Sequence, residues 1–156
     1  MKISFELDAF DRKILRALQQ DANCSMAELG QKVGLSHTPC WRRIKRLEAE
    51  GVIQGKVVLL NPHKLDLNVT VYAYITIKRH DEVSLNAFES AVQKVEEVVE
   101  CYSTSGDKDY VLRVLVSDVE HYEKLLKRTL AHLPNVVSIN STFALKQVKY
   151  TTQLPL

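Results

Sequence analysis

The spacing of apolar residues changes character near residue 60. Before it the period is helical; after it, stretches that alternate residue by residue are interleaved with further helical ones. Leu7, Ile14, Leu15 and Leu18 share one face of a predicted helix that Asp8 or Asp11 starts and that ends near Asp21. In SMAELGQKVGLSHTPCWRRIKRLEAEG, residues 25–51, Ser25 and Glu28 form a capping box, and Met26, Leu29 and Val33 recur at helical spacing until Gly34 stops the helix. Leu35 follows as an apolar turn residue. Ser36 then caps a helix that runs to Glu50, with Gly51 as its stop. Two helices joined by a short Gly-containing turn outline a helix-turn-helix.

The run Ile53, Val57, Val58, Leu59, Leu60 is β-rich and predicts a strand over 53–60 that Asn61-Pro62 closes. From Val69 the alternation is clean, with Val69, Val71, Ala73, Ile75 and Ile77 on one face and Thr70, Tyr72, Tyr74 and Thr76 on the other. Ser84 or Asp81 starts a helix carrying Leu85, Phe88, Val92 and Val95. Strands over Val98–Thr104 and Tyr110–Val116 follow, joined by the turn Ser105-Gly106-Asp107-Lys108. Ser117 and Glu120 read as a capping box for a helix that Pro134-Asn135 ends, and the last strand covers about Val136 to Leu145. The order is βαββαβ, a ferredoxin-like split unit. The fold class is therefore α+β: a three-helix helix-turn-helix domain over 1–52, a strand linker over 53–62, and a βαββαβ domain over 63–156.

On a helical wheel the second helix of the helix-turn-helix puts Cys40, Ile44 and Leu47 in one stripe, with Thr38, Arg42, Lys45 and Arg46 on the far side. A buried stripe opposite guanidinium, ammonium and hydroxyl groups suits the DNA major groove. There Arg reads guanine and Thr meets a thymine methyl. An ordinary solvated basic face has the same look, and the capped helix and tight turn before it are what favour DNA. The sheet raises a separate question, because both helices of a split unit lie on one face. The other face here carries Tyr72 and Tyr74, so self-association through the sheets is expected. A dimer also matches the two half-sites of an operator.

Composition refines this picture. The 156 residues, 46% hydrophobic and 26% charged, are ordinary for a globular protein. The net charge of +2 conceals an asymmetry: residues 1–60 hold ten Lys and Arg against seven acids, and residues 61–156 eleven against twelve. That leans the first part toward nucleic acid. No apolar run reaches the roughly 18 residues of a membrane span and MKISFELDAF has no signal-peptide core, so a cytoplasmic, nucleoid-associated location without membrane contact is expected. Cys24, Cys40 and Cys101 form no CxxC pair, which argues against a disulfide framework or a metal site. Asp107 and Asp109 with Tyr110 are the acidic cluster from which an enzyme reading would start, but no His or Cys lies nearby in sequence. His63, His80, His121 and His132 are scattered, and GxGxxG, P-loop, HExxH and GxSxG patterns are absent. The expectation is a non-enzyme without cofactor. An RNA-binding split unit is disfavoured too, since YVLRVLV lacks an aromatic stacking platform.

The chain resembles the leucine-responsive regulatory protein and AsnC family, the feast/famine transcription regulators of bacteria and archaea. The resemblance is carried nearly end to end by LDAFDRKILRALQQDA, ELGQKVGLSHTPCWRRIKRLEAEGVIQG, LNP and SGDKDYVLRV. It implies binding of double-stranded DNA by the N-terminal domain, for which the start and outward face of the second helix offer Ser36, His37, Thr38, Trp41, Arg42, Lys45 and Arg46. It also implies a C-terminal domain whose homodimers assemble further, commonly to octamers, and bind a small amino acid between domains, with leucine or methionine the first guesses. A nucleoid-associated DNA-binding protein without an effector is the alternative. Family members usually carry Ser-Pro-Thr-Pro where this chain has Ser36-His37-Thr38-Pro39, and a smaller apolar residue at Trp41. The operator sequence therefore does not follow from the resemblance, although DNA binding does.

GDKDY matches the family's effector-proximal motif. A zwitterion needs acceptors for its ammonium and donors for its carboxylate. Asp107 and Asp109 offer the first, while Ser103, Thr104, Ser105 and the Gly106 N–H offer the second, with Tyr110 adjoining and Phe143 or Ala144 able to receive the side chain. The same residues would also make an ordinary hairpin turn.

Overall fold

A computed structural model describes residues 6–156. MKISF, part of the N-terminus read above for a signal peptide, lies outside the described residues. The chain divides into two compact units: one runs to Leu59 and takes in Lys149–Leu156, and the other spans Leu60–Val148.

Three helices build the first unit: α1 (Ala9–Gln20), α2 (Met26–Val33) and α3 (His37–Ala49). Asp8 caps α1 by accepting from the Asp11 N–H, and Asp11 answers by accepting from Asp8, a capping box made of two aspartates. Ser25 and Glu28 do the same for α2, which ends at Gly34 in the left-handed region (φ 74°). The turn into α3 folds back so closely that Leu35 donates to the Gly30 carbonyl at 3.0 Å. A Cβ on Gly30 would lie 2.6 Å from the Leu35 oxygen, so only glycine admits this approach. Ile14, Leu29, Cys40 and Leu47 are fully buried together. The tail joins this unit: Arg16 donates to the Leu156 carbonyl oxygen (2.9 Å) and Gln19 accepts from the Leu154 N–H (2.6 Å).

In the second unit the order is β1 (Val69–Ile77), α4 (Glu82–Val92), β2 (Val98–Ser103), β3 (Tyr110–Val116), α5 (Val119–Arg128) and β4 (Val136–Phe143), with short 3₁₀ turns at Pro62–Leu65 and Leu130–His132. The antiparallel sheet runs β2-β3-β1-β4, the expected split-unit topology. Val71, Ala73, Ile75, Leu112, Val114 and Phe88 are buried in its core. The opposite face carries Tyr72 and Tyr74, 38% and 37% exposed, and Tyr102 at the β2 edge. Beside β1, β4 turns Ser138, Asn140 and Thr142 to the same side, so this face is aromatic in part rather than apolar throughout.

Local expectations change at residues 53–60 and at the start of α5. Residues 53–60 form no strand, and Val57, Val58, Leu59 and Leu60 are all exposed. Their β-propensity is real, but a strand exists only where a second strand accepts its N–H groups, and none does so among the described residues. The cap of α5 is Asp118, whose carboxylate accepts from the His121 N–H, while the Ser117 hydroxyl donates to Asp118. A carboxylate one residue nearer the helix displaces the hydroxyl.

Candidate nucleic-acid interface and ligand loop

Along α3, Cys40, Ile44 and Leu47 face inward and Ser36, His37, Thr38, Trp41, Arg42, Lys45 and Arg46 are exposed. The Ser36 side chain makes no cap hydrogen bond. The third residue of the helix, to which a cap normally turns, is Pro39 and has no N–H. The Ser36 hydroxyl and the Thr38 N–H are thus left facing outward at the positive end of the helix dipole, where a phosphate is favoured.

The cations of α3 are not equivalent. Lys45 pairs with Glu48 at 2.8 Å. Arg43 reaches Asp8 at 2.5 Å and Asp11 at 2.8 Å, and its guanidinium lies over the Phe10 ring. Arg46 reaches the other oxygen of Asp11 at 2.6 Å. The Asp8 carboxyl is held below the usual carboxylate range, first by the Asp11 N–H and then by Arg43. Arg42 has no hydrogen bond or ion pair among the described residues. With Pro39, Arg43 and Arg46 it lines a groove of about 360 Å³.

At the β2–β3 turn the expected effector residues separate into two groups. Ser103, Thr104, Ser105, Gly106 and Asp107 are exposed, whereas Asp109 is partly buried and Tyr110 buried. One Asp109 oxygen accepts the Ile77 N–H at 2.7 Å and the other meets His80 Nε2 at 2.7 Å. These contacts, the Ile77 N–H foremost, hold its carboxyl below the ordinary range. Tyr110 packs on Phe88 and its hydroxyl donates to Glu89 at 2.7 Å; burial, then Glu89, pushes the phenol well up. Thr104 Oγ1 donates to the Lys108 carbonyl and the Thr104 N–H to the Asp109 carbonyl, which closes the turn on itself. A groove of about 530 Å³ opens beside it, with Val92, Val98, Val99 and Tyr110 but also Glu89 and Glu100 in its lining. Phe143, expected near the ligand, packs edge-on against Tyr122 of α5.

The family model for the Lrp/AsnC ligand binding domain matches residues 70–154, and a winged helix-turn-helix DNA-binding model matches residues 7–54. The chain belongs to the Lrp/AsnC family of transcription regulators. It is 46% identical to the leucine-responsive regulatory protein of Klebsiella pneumoniae, over 96% of this chain and 91% of that one. It is 40% identical to the transcriptional activator DecR of Escherichia coli K12, over 96% and 99%. An AsnC family regulator from Agrobacterium tumefaciens superposes with a TM-score of 0.91 at 47% identity, covering 96% of this chain and 97% of that one. A Neisseria meningitidis regulator solved as an L-Met complex does so with the same TM-score and coverage at 33% identity.

This Lrp/AsnC protein is accordingly a DNA-binding transcription regulator and not an enzyme. No described helix is long and apolar enough to cross a membrane. Among the described residues no cluster of acidic, His or Cys side chains is arranged to hold a metal. Sequence reasoning missed His80 and Glu89 as parts of the loop. The β1–β3 register sets Ile75 opposite Tyr110 and so delivers the end of β1, with His80 beyond it, to Asp109. Only the pairing of two strands about 35 residues apart reveals this neighbour, which local spacing does not signal.

Proposed function

We propose that α3 enters the major groove, with Thr38, Trp41 and Arg42 facing base edges and Ser36, His37 and Lys45 the phosphates, while Arg46 flanks the groove. The observation that carries this reading is Arg42: exposed, in the middle of the helix, and without an ion-pair partner among the described residues. The three-helix domain ends at about residue 52 on this reading, and the 53–62 linker finds its strand partner in a second copy. Sheet-to-sheet contact through Tyr72, Tyr74 and Tyr102 makes a dimer, and dimers assemble further, to an octamer. The setting is the cytoplasm, on the nucleoid.

The effector is a small amino acid, with leucine or methionine first, bound between C-terminal domains at the Ser103–Tyr110 turn. Asp107 with the exposed hydroxyls and the Gly106 N–H face the zwitterion, and the neighbouring groove offers Val98 and Val99 to an apolar side chain. Asp109 and Tyr110 hold the loop in place. The L-Met complex of the Neisseria relative, 33% identical, supports an amino-acid effector of apolar side chain.

One thermal-stability panel against the twenty amino acids tests the effector, since a ligand at about 100 times its dissociation constant adds about 2.7 kcal/mol to the native state. Leucine or methionine is expected to raise the melting temperature. If none of the twenty does, the effector reading is wrong.

A further inference from the structure

Asp11 sits in the first turn of α1 with its side chain fully buried, and its two oxygens are taken by arginines from successive turns of α3. Arg43 holds Oδ1 and Arg46 holds Oδ2, and Asp8 closes the set from the rim by a second bond to Arg43. Two carboxylates and two guanidiniums make an electroneutral quartet along the border of the groove that Arg42 shares.

We infer that Asp11, seconded by Asp8, is a specificity-determining residue: it withholds Arg43 and Arg46 from the DNA phosphates, so that affinity depends on the base-reading groups of α3. The inference rests on the proposal that the outward face of α3 is the DNA contact. Non-specific affinity comes from cations that displace counter-ions from the phosphate backbone, and it grows with each uncompensated one. Base contacts, in contrast, are what separate one sequence from another. A buried carboxylate stripped of its partners is strongly unfavourable, so the pairs on Asp11 do not open when DNA arrives. Of the three arginines lining the groove, the quartet neutralises two and leaves Arg42 its charge. Without Asp8 and Asp11, α3 would hold any duplex more tightly and distinguish duplexes less.

The full chain carrying Asp8→Asn or Asp11→Asn is titrated against two probes over a range of salt. One probe is a mixed-sequence duplex, the other the duplex that the parent enriches from a random pool. Asn serves as well as Asp at an N-cap, so Asp8→Asn removes a charge and keeps the helix start. On the mixed duplex, log affinity against log salt should steepen by about 0.9 for Asp8→Asn and for Asp11→Asn alike, because each removes one negative charge from an electroneutral set. The preference for the selected duplex should fall several-fold. Equal weakening of both duplexes at unchanged slope would mean that the quartet only packs α1 on α3. A flatter slope would mean that the paired arginines themselves bind phosphate. Either result overturns the inference, and if Asp11→Asn does not fold, Asp8→Asn decides alone. Arg42→Gln separates the two levels. If it leaves binding to both probes intact, the assignment of the face is at fault, whatever the aspartate variants do.

Discussion

The α3 face and the 103–110 turn are built from the same materials, charged and hydroxyl side chains beside a tight turn, yet they differ in how many of those groups are already bonded within the fold. Along α3, Thr38, Trp41 and Arg42 face outward, and the pairs made to another helix lie at one flank, where Arg43 and Arg46 meet Asp8 and Asp11. At the turn, the best-placed carboxylate and the phenol are bonded inward to Ile77, His80 and Glu89. A rigid helix can present its recognition groups outright, because the backbone satisfies itself. A hairpin turn has no such internal order, so some of its polar residues must serve as anchors before the others can serve a ligand.

The largest test of this contrast lies beneath the turn. Phe88 is fully buried and packs at a tilt against Tyr110 with ring centroids 4.6 Å apart. Phe88→Ala should cost about 3–5 kcal/mol, lost transfer and a cavity together. Trp41, the single tryptophan, reports on the first unit, so its fluorescence can be followed beside far-ultraviolet dichroism. Dichroism should show an earlier transition while the Trp41 signal moves less. Both moving together would show that the two units unfold as one.

A smaller effect is expected from Asp109→Ala, which leaves the Ile77 N–H without its acceptor and costs about 1–3 kcal/mol. The amino-acid response should disappear, while DNA affinity stays within a few-fold because Arg42 is in the other unit. A variant that still responds like the parent would move the effector site elsewhere. His80→Ala removes only an exposed partner and should cost well under about 1 kcal/mol.

On the DNA side, Arg42→Ala should lose about 1–3 kcal/mol on the preferred duplex if it reads a base. Lys45→Ala should weaken all duplexes alike and flatten the salt slope by about 0.9. Filter binding on selected and mixed duplexes distinguishes the two. Identical losses on both duplexes from Arg42→Ala would reduce that residue to a phosphate contact.

The same division, inward anchors against outward contacts, marks what could be read from residue order. The helix start at Asp8, the capping box at Ser25, the stop at Gly34 and the alternation of β1 depend on neighbours within four residues, and all appear where spacing puts them. Residues 53–60 do not, since propensity describes a chain ready to pair and says nothing of where the partner is. The helical wheel put Arg46 with Arg42 on the outward side. Its angle was right, but the wheel has no knowledge of Asp11 on another helix. Asp109 was legible as a carboxylate beside a turn, and its bond to a backbone N–H in β1 was not. Local chemistry is written in order along the chain, whereas the choice between anchor and contact is made by tertiary pairing.

Acid should sharpen the comparison with the smallest of these effects. The Asp109 carboxyl is held below its ordinary value, chiefly by the Ile77 N–H and then by His80. A carboxyl depressed in the folded state contributes stability that is fully present above the unfolded value, about 4, and is lost as pH falls through the folded one. The parent should therefore melt progressively lower as pH drops below about 4. Asn at this position keeps an oxygen for the Ile77 N–H but cannot titrate. Asp109→Asn should thus lose less between pH 6 and pH 3, by on the order of 2 °C. Because the leading contact is an uncharged N–H, the difference should survive high salt, which screens charge pairs such as Asp8 with Arg43. An equal drop in parent and variant would mean that Asp109 is not anchored inward, and the turn would then stand on the same footing as α3.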